Sequence, residues 1–493
     1  MIGIDLKRYS MKKAINFNLW RTLLIVILTC GVLSSCGKLT EDFLNVPQNP
    51  SVVIPKTIRD YQALLDAAAG SNSGPEMNSS SCHRLGMAGG EEFLISDQVY
   101  NSLSTLFFHE KQAYSWSKDI YGVVYNTSLD DWYLTYKRVL YTNLVLDGIG
   151  HINPVPSDRL AWNNVRGSAL FFRALNFYDL AQLFCKHYDP TSAKDDLGIV
   201  LRTNYDVTVE SHRATVEQTY HQIIQDLEEA LPLLPLLPGN NFRPSQAAVH
   251  ALLMRVHLTM GHVEKVVDHA NAVLKIHDTL NDFNEVNLTA NITFPVDFGG
   301  NAATNPEIFF YRTGTIAIGG QTRMNISLDL LNSYASGDLR PAAFFRRHTN
   351  GNMIYKGSYS GSLAGTMFTG FAASEIWITR AEAYARLGRK DLALADLNHL
   401  LRHRYNSESF EEVETTDAEQ ALSIILDHRR KEMIFRGTRW TDLRRLNTDP
   451  RFAQTLSRVV NGVRHELPPG DLRWVWPIPP DEIDLSKIEQ NPR

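Results

Sequence analysis

A helical hairpin late in the chain sets the terms for its fold. Between Ser374 and Arg404, the residues Ala381, Tyr384, Gly388 and Ala393 stand at relative positions 0, +3, +7 and +12. Apolar residues recurring every three or four positions mark a helix with one buried face. Small side chains on that face let a second helix approach closely. A glycine between the two can take the left-handed conformation that ends a helix.

The spacing is that of small and aromatic positions in a tetratricopeptide helix pair. Gly261 marks a poorer copy, with Met254 and His257 in the first two places. The two glycines lie 127 residues apart, far from a period of about 34. Scattered hairpins with large insertions fit this better than an uninterrupted solenoid. Further helices are predicted over Thr57–Ala69, Tyr125–Ile149, Asp158–Cys185, Glu217–Leu231, Ser245–Met260 and Val263–His277. Thr215 is a candidate cap for the fourth, and Pro232 and Pro235 stop it. Ser71 to Ser81 reads as loop, followed by a stretch of low periodicity to about Lys118. Residues 281–326 and 351–371 are again glycine-rich, with a short strand over Glu307–Tyr311. The fold class is mainly α, with an irregular, loop-rich remainder.

The N-terminus has a separate logic. Lys12, Lys13 and Arg21 precede an apolar run from Leu23 to Leu33, which ends in Leu33-Ser34-Ser35-Cys36. Eleven helical residues span roughly 16 Å, about half of a hydrocarbon core. The run is therefore read as a signal peptide over 1–35 and not as a transmembrane anchor. A cysteine after Leu-Ser-Ser resembles a bacterial lipobox, which implies lipidation of Cys36. Cys30 competes, but Thr29 is less suited to cleavage than Ser35. Met11 is an alternative start to Met1. Residues 36–56 read as a tether. Without residues 1–35 the chain carries 44 basic and 53 acidic residues, a formal charge of −9. That excludes the electrostatic footprint of a nucleic-acid binder. Cys82 and Cys185 remain as thiols, and export would permit a disulfide between them. No later apolar run reaches 18 residues, so a soluble body is expected.

Enzyme chemistry finds no foothold. His109-Glu110 is followed by Ala113, so the H-E-x-x-H zinc pattern fails. Gly357-Ser358-Tyr359-Ser360-Gly361 puts tyrosine where a nucleophile elbow needs serine. Asp130-Asp131 and Asp195-Asp196 are adjacent pairs, whose side chains diverge. No catalytic residue, metal site or cofactor is nominated. Loop aromatics are better candidates. A ligand with apolar faces and a polar rim needs flat rings with amide, Arg or carboxylate partners. Tyr100, Tyr114 and Trp116 form one candidate group, with Asp97, Asn101 and Lys118 nearby. Tyr355 and Tyr359, with Phe368 and Phe371, form another. In an extended segment Tyr114 and Trp116 would point to one side and make a single platform. Each of these rings also has a plain reading as a core residue.

Several runs together resemble the SusD/RagB family of outer-membrane nutrient-binding lipoproteins. Leu197-Gly198-Ile199 is similar to the family's Leu-Gly-Ile/Val-Pro loop, with Val200 for Pro. Thr215-Val216, Tyr220, Ile224, Asp226-Leu227 and Ala230 resemble its S-V-x-x-x-Y helix. Ala247-Ala248 through Leu258 and Gly261 resemble its central hairpin. Arg380-Ala381-Glu382-Ala383 with Leu397-Asn398 resemble its most recognisable helix pair. Arg429 to Glu432, Gly437, Arg439-Trp440, Asp442-Leu443 and Arg445 resemble its C-terminal run, with His428 and Arg436 replacing acids. Trp476 to Pro479, Glu482-Ile483 and Gln490-Asn491-Pro492 resemble its closing segment. The resemblance implies an N-terminal region over 57–240 and a C-terminal one over 241–493. It implies four tetratricopeptide-like units and no catalysis. It also implies a lipid-anchored, surface-exposed outer-membrane protein that hands an oligosaccharide or peptide to a SusC-like TonB-dependent transporter. A helical glycoside hydrolase, needing two carboxylates across a cleft, and a tetratricopeptide envelope scaffold are the alternatives. The Arg429–Arg445 run is expected to be structural, with solvated or partly buried ion pairs and Trp440 in the core.

Overall fold

A computed structural model describes residues 55–67, 76–78, 83–104, 107–122, 130–295, 305–316, 318, 323–361 and 365–493. Cys36, the segment 1–35 and Cys82 lie outside the described residues. Cys185 is buried with a free thiol.

Among the described residues, eight helices exceed twelve residues. They are α1 (Asp131–Gly150), α2 (Arg159–Phe184), α3 (Val216–Ala230), α4 (Gln246–Met260), α5 (Val263–Ile276), α6 (Ala373–Arg386), α7 (Lys390–Arg402) and α8 (Ala418–Glu432). The chain packs them in series: α1 on α2, α2 on α3, α4 on α5, α6 on α7, with α6 also against α5 and α8. This is the expected mainly α, tetratricopeptide-like architecture. The capping chemistry is local. Asp130 accepts from the Trp132 and Tyr133 N–H groups to start α1. Thr215 and Gln218 form a reciprocal capping box on α3, satisfying two donors that have no intrahelical partner. Gly261 and Gly388 close α4 and α6 at φ of 75° and 70°, where an L side chain is strained.

The strands are short and pair two by two, all antiparallel. Ile308–Phe310 falls inside the predicted strand and pairs with Phe371–Ala372. The stretch before Lys118, read as irregular, instead contains the short helices Arg84–Gly89, Asp97–Ser102 and Phe108–Tyr114. They are too short for periodicity to register; the first is buried throughout, and the other two are anchored by buried residues that include Tyr100 and Tyr114. A Cβ on Gly89 would lie 2.6 Å from Trp440 Cζ3 and 2.8 Å from Trp476 Cζ2. Only glycine lets this turn pass over the stacked indoles, whose centres are 5.0 Å apart.

The Arg429–Arg445 run is structural, as expected: the Arg430–Glu91 and Lys431–Asp427 pairs are partly exposed, and a further set is fully buried. Arg445 and Arg429 converge on Glu382 and Asp442, and Trp440 sits in the core. A second buried network joins Arg404 to Glu307 and Glu432, and Arg340 to Asp338 and Glu432. Removing one partner from such a set strands a charge in a dry interior and is strongly destabilising.

Candidate functional site

The five sequence-nominated rings are all buried. Tyr114 closes a helix and Trp116 follows at φ 51°, so the segment is a helical turn and not the extended strand that would align the rings as a platform. Trp116 is 1% exposed, and its Nε1 donates to the carbonyl of Gly89 at 2.9 Å. The Tyr114 hydroxyl accepts from Ile95 N at 3.0 Å. Tyr100 donates to Ser115 Oγ at 3.4 Å. Tyr355 packs 4.9 Å from Phe435. Tyr359 donates to Glu307 Oε2 at 3.0 Å, under the Arg436 guanidinium. None of these rings presents a face to solvent here, and the plain core reading describes them.

Aromatic surface is offered elsewhere, in a cleft of about 310 Å³ between α1 and the segment 200–211. That volume is at the lower end of the range for small-ligand sites, which starts at about 300 Å³. Its floor is set by packing: Trp132 lies 4.7 Å from Tyr136 and edge-on to Phe184 at 5.1 Å. The opposite wall is pinned to this floor. The Tyr136 hydroxyl donates to the Val200 carbonyl at 2.9 Å and accepts from Val200 N at 3.0 Å. Burial holds that phenol well above its usual pKa, so it stays a neutral donor and acceptor. Asn143 donates to the carbonyls of Arg202 at 2.8 Å and Asn204 at 3.0 Å. It is itself held by Arg173, which forms a two-bond pair with Asp226.

The loop also braces itself. Arg202 reaches across to the Val209 carbonyl and Ser211 Oγ. Asp206 accepts from Thr208 N at 2.8 Å and Thr208 Oγ1 at 2.7 Å. Those bonds hold the Asp206 carboxyl below its usual pKa. It is therefore an ionised acceptor, the wrong state for a general acid at neutral pH. On this rigid loop Tyr205 is 45% exposed and Val207 76%. Rings, aliphatic faces, an amide (Asn204), a cation (Lys137) and a carboxylate thus meet in one concave place.

A larger hollow of about 720 Å³ lies between the turns of α4 and α6 and the segment 448–451. Its arginines are already committed: Arg386 to Glu382, Arg445 to Glu382 and Asp442, Arg451 to Asp449 and Glu419.

The sequence predicts the helix that carries Trp132, Tyr136 and Asn143, within Tyr125–Ile149, but not the cleft. A usable signal was there: Trp132, Tyr133, Tyr136 and Tyr141 put more rings on one helix than a single buried stripe requires.

Comparison with known proteins gives this architecture a family. Residues 42–258 match the SusD-like family described as "Starch-binding associating with outer membrane", and residues 342–493 match the SusD family. The chain is 23% identical to "SusD-like protein P2" of Formosa agariphila over 373 residues, covering 64% of this chain and 71% of that one. In structure it is similar to a SusD superfamily protein from Bacteroides thetaiotaomicron, with a TM-score of 0.70 and 22% identity over 89% of this chain and all of that one. It is also similar to a SusD-like carbohydrate-binding protein from Bacteroides vulgatus, with a TM-score of 0.63 and 18% identity over 87% and 94% of the two chains. With matching segments over residues 42–258 and 342–493, the chain belongs to the SusD/RagB family.

Proposed function

We propose that this protein is a non-enzymatic carbohydrate-binding lipoprotein of the outer membrane. It captures an oligosaccharide at the cell surface and passes it to a SusC-like TonB-dependent transporter. Cys36 carries the lipid anchor. Family membership supports the class, and the described helices include none long and apolar enough to cross a membrane. The observation that carries the reading is the pinned loop that holds Tyr205 exposed over a cleft of rings and amides. Such a surface suits the alternating apolar faces and polar rim of a sugar. A peptide is the competing ligand, since rings, an amide and a carboxylate also suit an extended backbone.

A panel of oligosaccharides and peptides, followed by calorimetry, tests the reading. Stacking that removes about 60 Å² from water contributes roughly 1.5 kcal/mol, about tenfold in affinity. Tyr205→Ala is expected to weaken the best glycan by that factor without changing the melting temperature. Peptide binding with no glycan binding overturns the ligand class. Unchanged glycan affinity in the variant moves the site away from this cleft.

A further inference from the structure

The α4–α5 hairpin carries four histidines in a row at its seam. His250 and His257 stand two turns apart on α4, His262 lies in the turn, and His269 projects from α5. His250 Nδ1 and His269 Nδ1 are 3.0 Å apart. His257 Nδ1 and His262 Nδ1 are 3.3 Å apart. The His257 and His269 rings stack between the two pairs, 5.3 Å apart and 4° from parallel. In the matching hairpin of α6 and α7, Tyr384 occupies the position of His257, and ordinary packing fills the seam.

Two neutral imidazoles facing each other through the same nitrogen share one hydrogen bond only if they adopt opposite tautomers. When the one Nδ1 proton of such a pair moves to Nε2, both Nδ1 lone pairs are left facing the gap. A divalent cation bound at 2.0–2.1 Å by two such nitrogens separates them by about 3.3 Å in tetrahedral geometry and about 2.9 Å in square-planar geometry. The two observed separations fall at these values.

We propose that the paired histidines of the α4–α5 hairpin bind first-row divalent transition cations, with imidazole nitrogen as the donor. Zn²⁺, Cu²⁺ and Ni²⁺ are the class that such borderline nitrogen ligands select. No three His, Cys, Asp or Glu side chains among the described residues converge on one point. Each pair therefore supplies two ligands and water completes the shell. His262 is exposed and His250 and His269 are half-buried, so both gaps are reachable from solvent. Burial and neighbouring imidazoles push His257 down to about 4 and His269 to about 3. At neutral pH both are thus unprotonated, and a cation displaces no proton from them. Lys265 is the one fixed cation acting on both, and it opposes a second positive charge.

The test is titration of the full chain with ZnCl₂, and separately CuCl₂, at pH 7.5 by calorimetry, with Cu²⁺ nitrogen hyperfine structure read by electron paramagnetic resonance. Up to two ions per chain are expected, with two nitrogen ligands each. His262→Gln, at an exposed turn position, should remove one ion and leave the fold intact. The quadruple variant H250Q/H257Q/H262Q/H269Q should bind at least tenfold more weakly, whereas His212→Gln and His465→Gln should change nothing. Lys265→Gln should tighten binding several-fold. If the quadruple variant cannot fold, the His262→Gln and Lys265→Gln arms decide alone. Wild-type affinity and stoichiometry in His262→Gln, with no effect of Lys265→Gln, overturn the proposal.

Discussion

Arg458 and Trp116 bury one another: the guanidinium carbon lies 4.6 Å from the indole centre, and the residues are 4% and 1% exposed. Arg458 has no ion pair among the described residues. It donates instead to the carbonyls of Ala88, Gly90 and Tyr114, and burial pushes its pKa down to about 10. A cation held by carbonyls and two ring faces avoids the cost of isolation in an apolar interior. The arrangement explains why these aromatics cluster in sequence. They wall a buried arginine delivered by the distant strand Leu456–Val460.

Trp116→Ala should therefore unfold part of the body and not merely weaken a ligand. Opening a large cavity and exposing one face of Arg458 should cost roughly 3–5 kcal/mol. Urea unfolding measures it, and Trp116→Phe should cost clearly less. A stable Trp116→Ala protein with normal cooperativity would refute the core assignment.

Gly388 separates geometry from packing. A Cβ there would meet nothing within 4 Å, yet φ is +70°. Gly388→Ala should lower stability by about 1–2 kcal/mol through backbone strain alone, and Gly388→Asn by less. Thermal melts of the two variants check this. Equal costs for both would mean the turn relaxes out of the left-handed region.

Glu92 predicts a pH dependence. Its carboxyl is buried and accepts from Phe435 N at 2.7 Å. Burial, the largest cause, pushes its pKa up from 4.5 to about 8. Between those values the folded chain holds a proton that the unfolded chain has released. Its contribution to stability is complete below about pH 4.5 and declines as pH rises towards 8. Glu92→Gln keeps an acceptor and removes the titration. The variant's advantage in melting temperature should grow from pH 5 to pH 8 and then level off. A constant difference across that window would sink the assignment.

The anchor is tested by Cys36→Ala. The precursor should remain unlipidated and leave the outer-membrane fraction, and a labelled fatty acid should mark the wild type alone. Equal labelling of both proteins would reject Cys36 as the modified residue.

The long helices were readable from sequence because each satisfies its own rules. The Thr215 cap, the Gly261 and Gly388 stops and the three-to-four-residue periodicity act within a dozen residues. The hairpin at 374–404 and the family-like runs at both ends likewise needed no tertiary information. What the chain alone could not decide was which aromatics face inward. Tyr114 and Tyr205 are chemically alike and both lie outside the long periodic helices. Tyr114 is buried because a strand more than 300 residues later brings Arg458 against it. Tyr205 stays exposed because Asn143 and Tyr136, from another helix, pin its loop at the rim of a cleft. Burial is set by pairings distant in sequence, and no local pattern encodes those partners. Spacing and capping thus determined the helices, the family-like runs carried the resemblance, and only the tertiary structure decided which rings reach solvent.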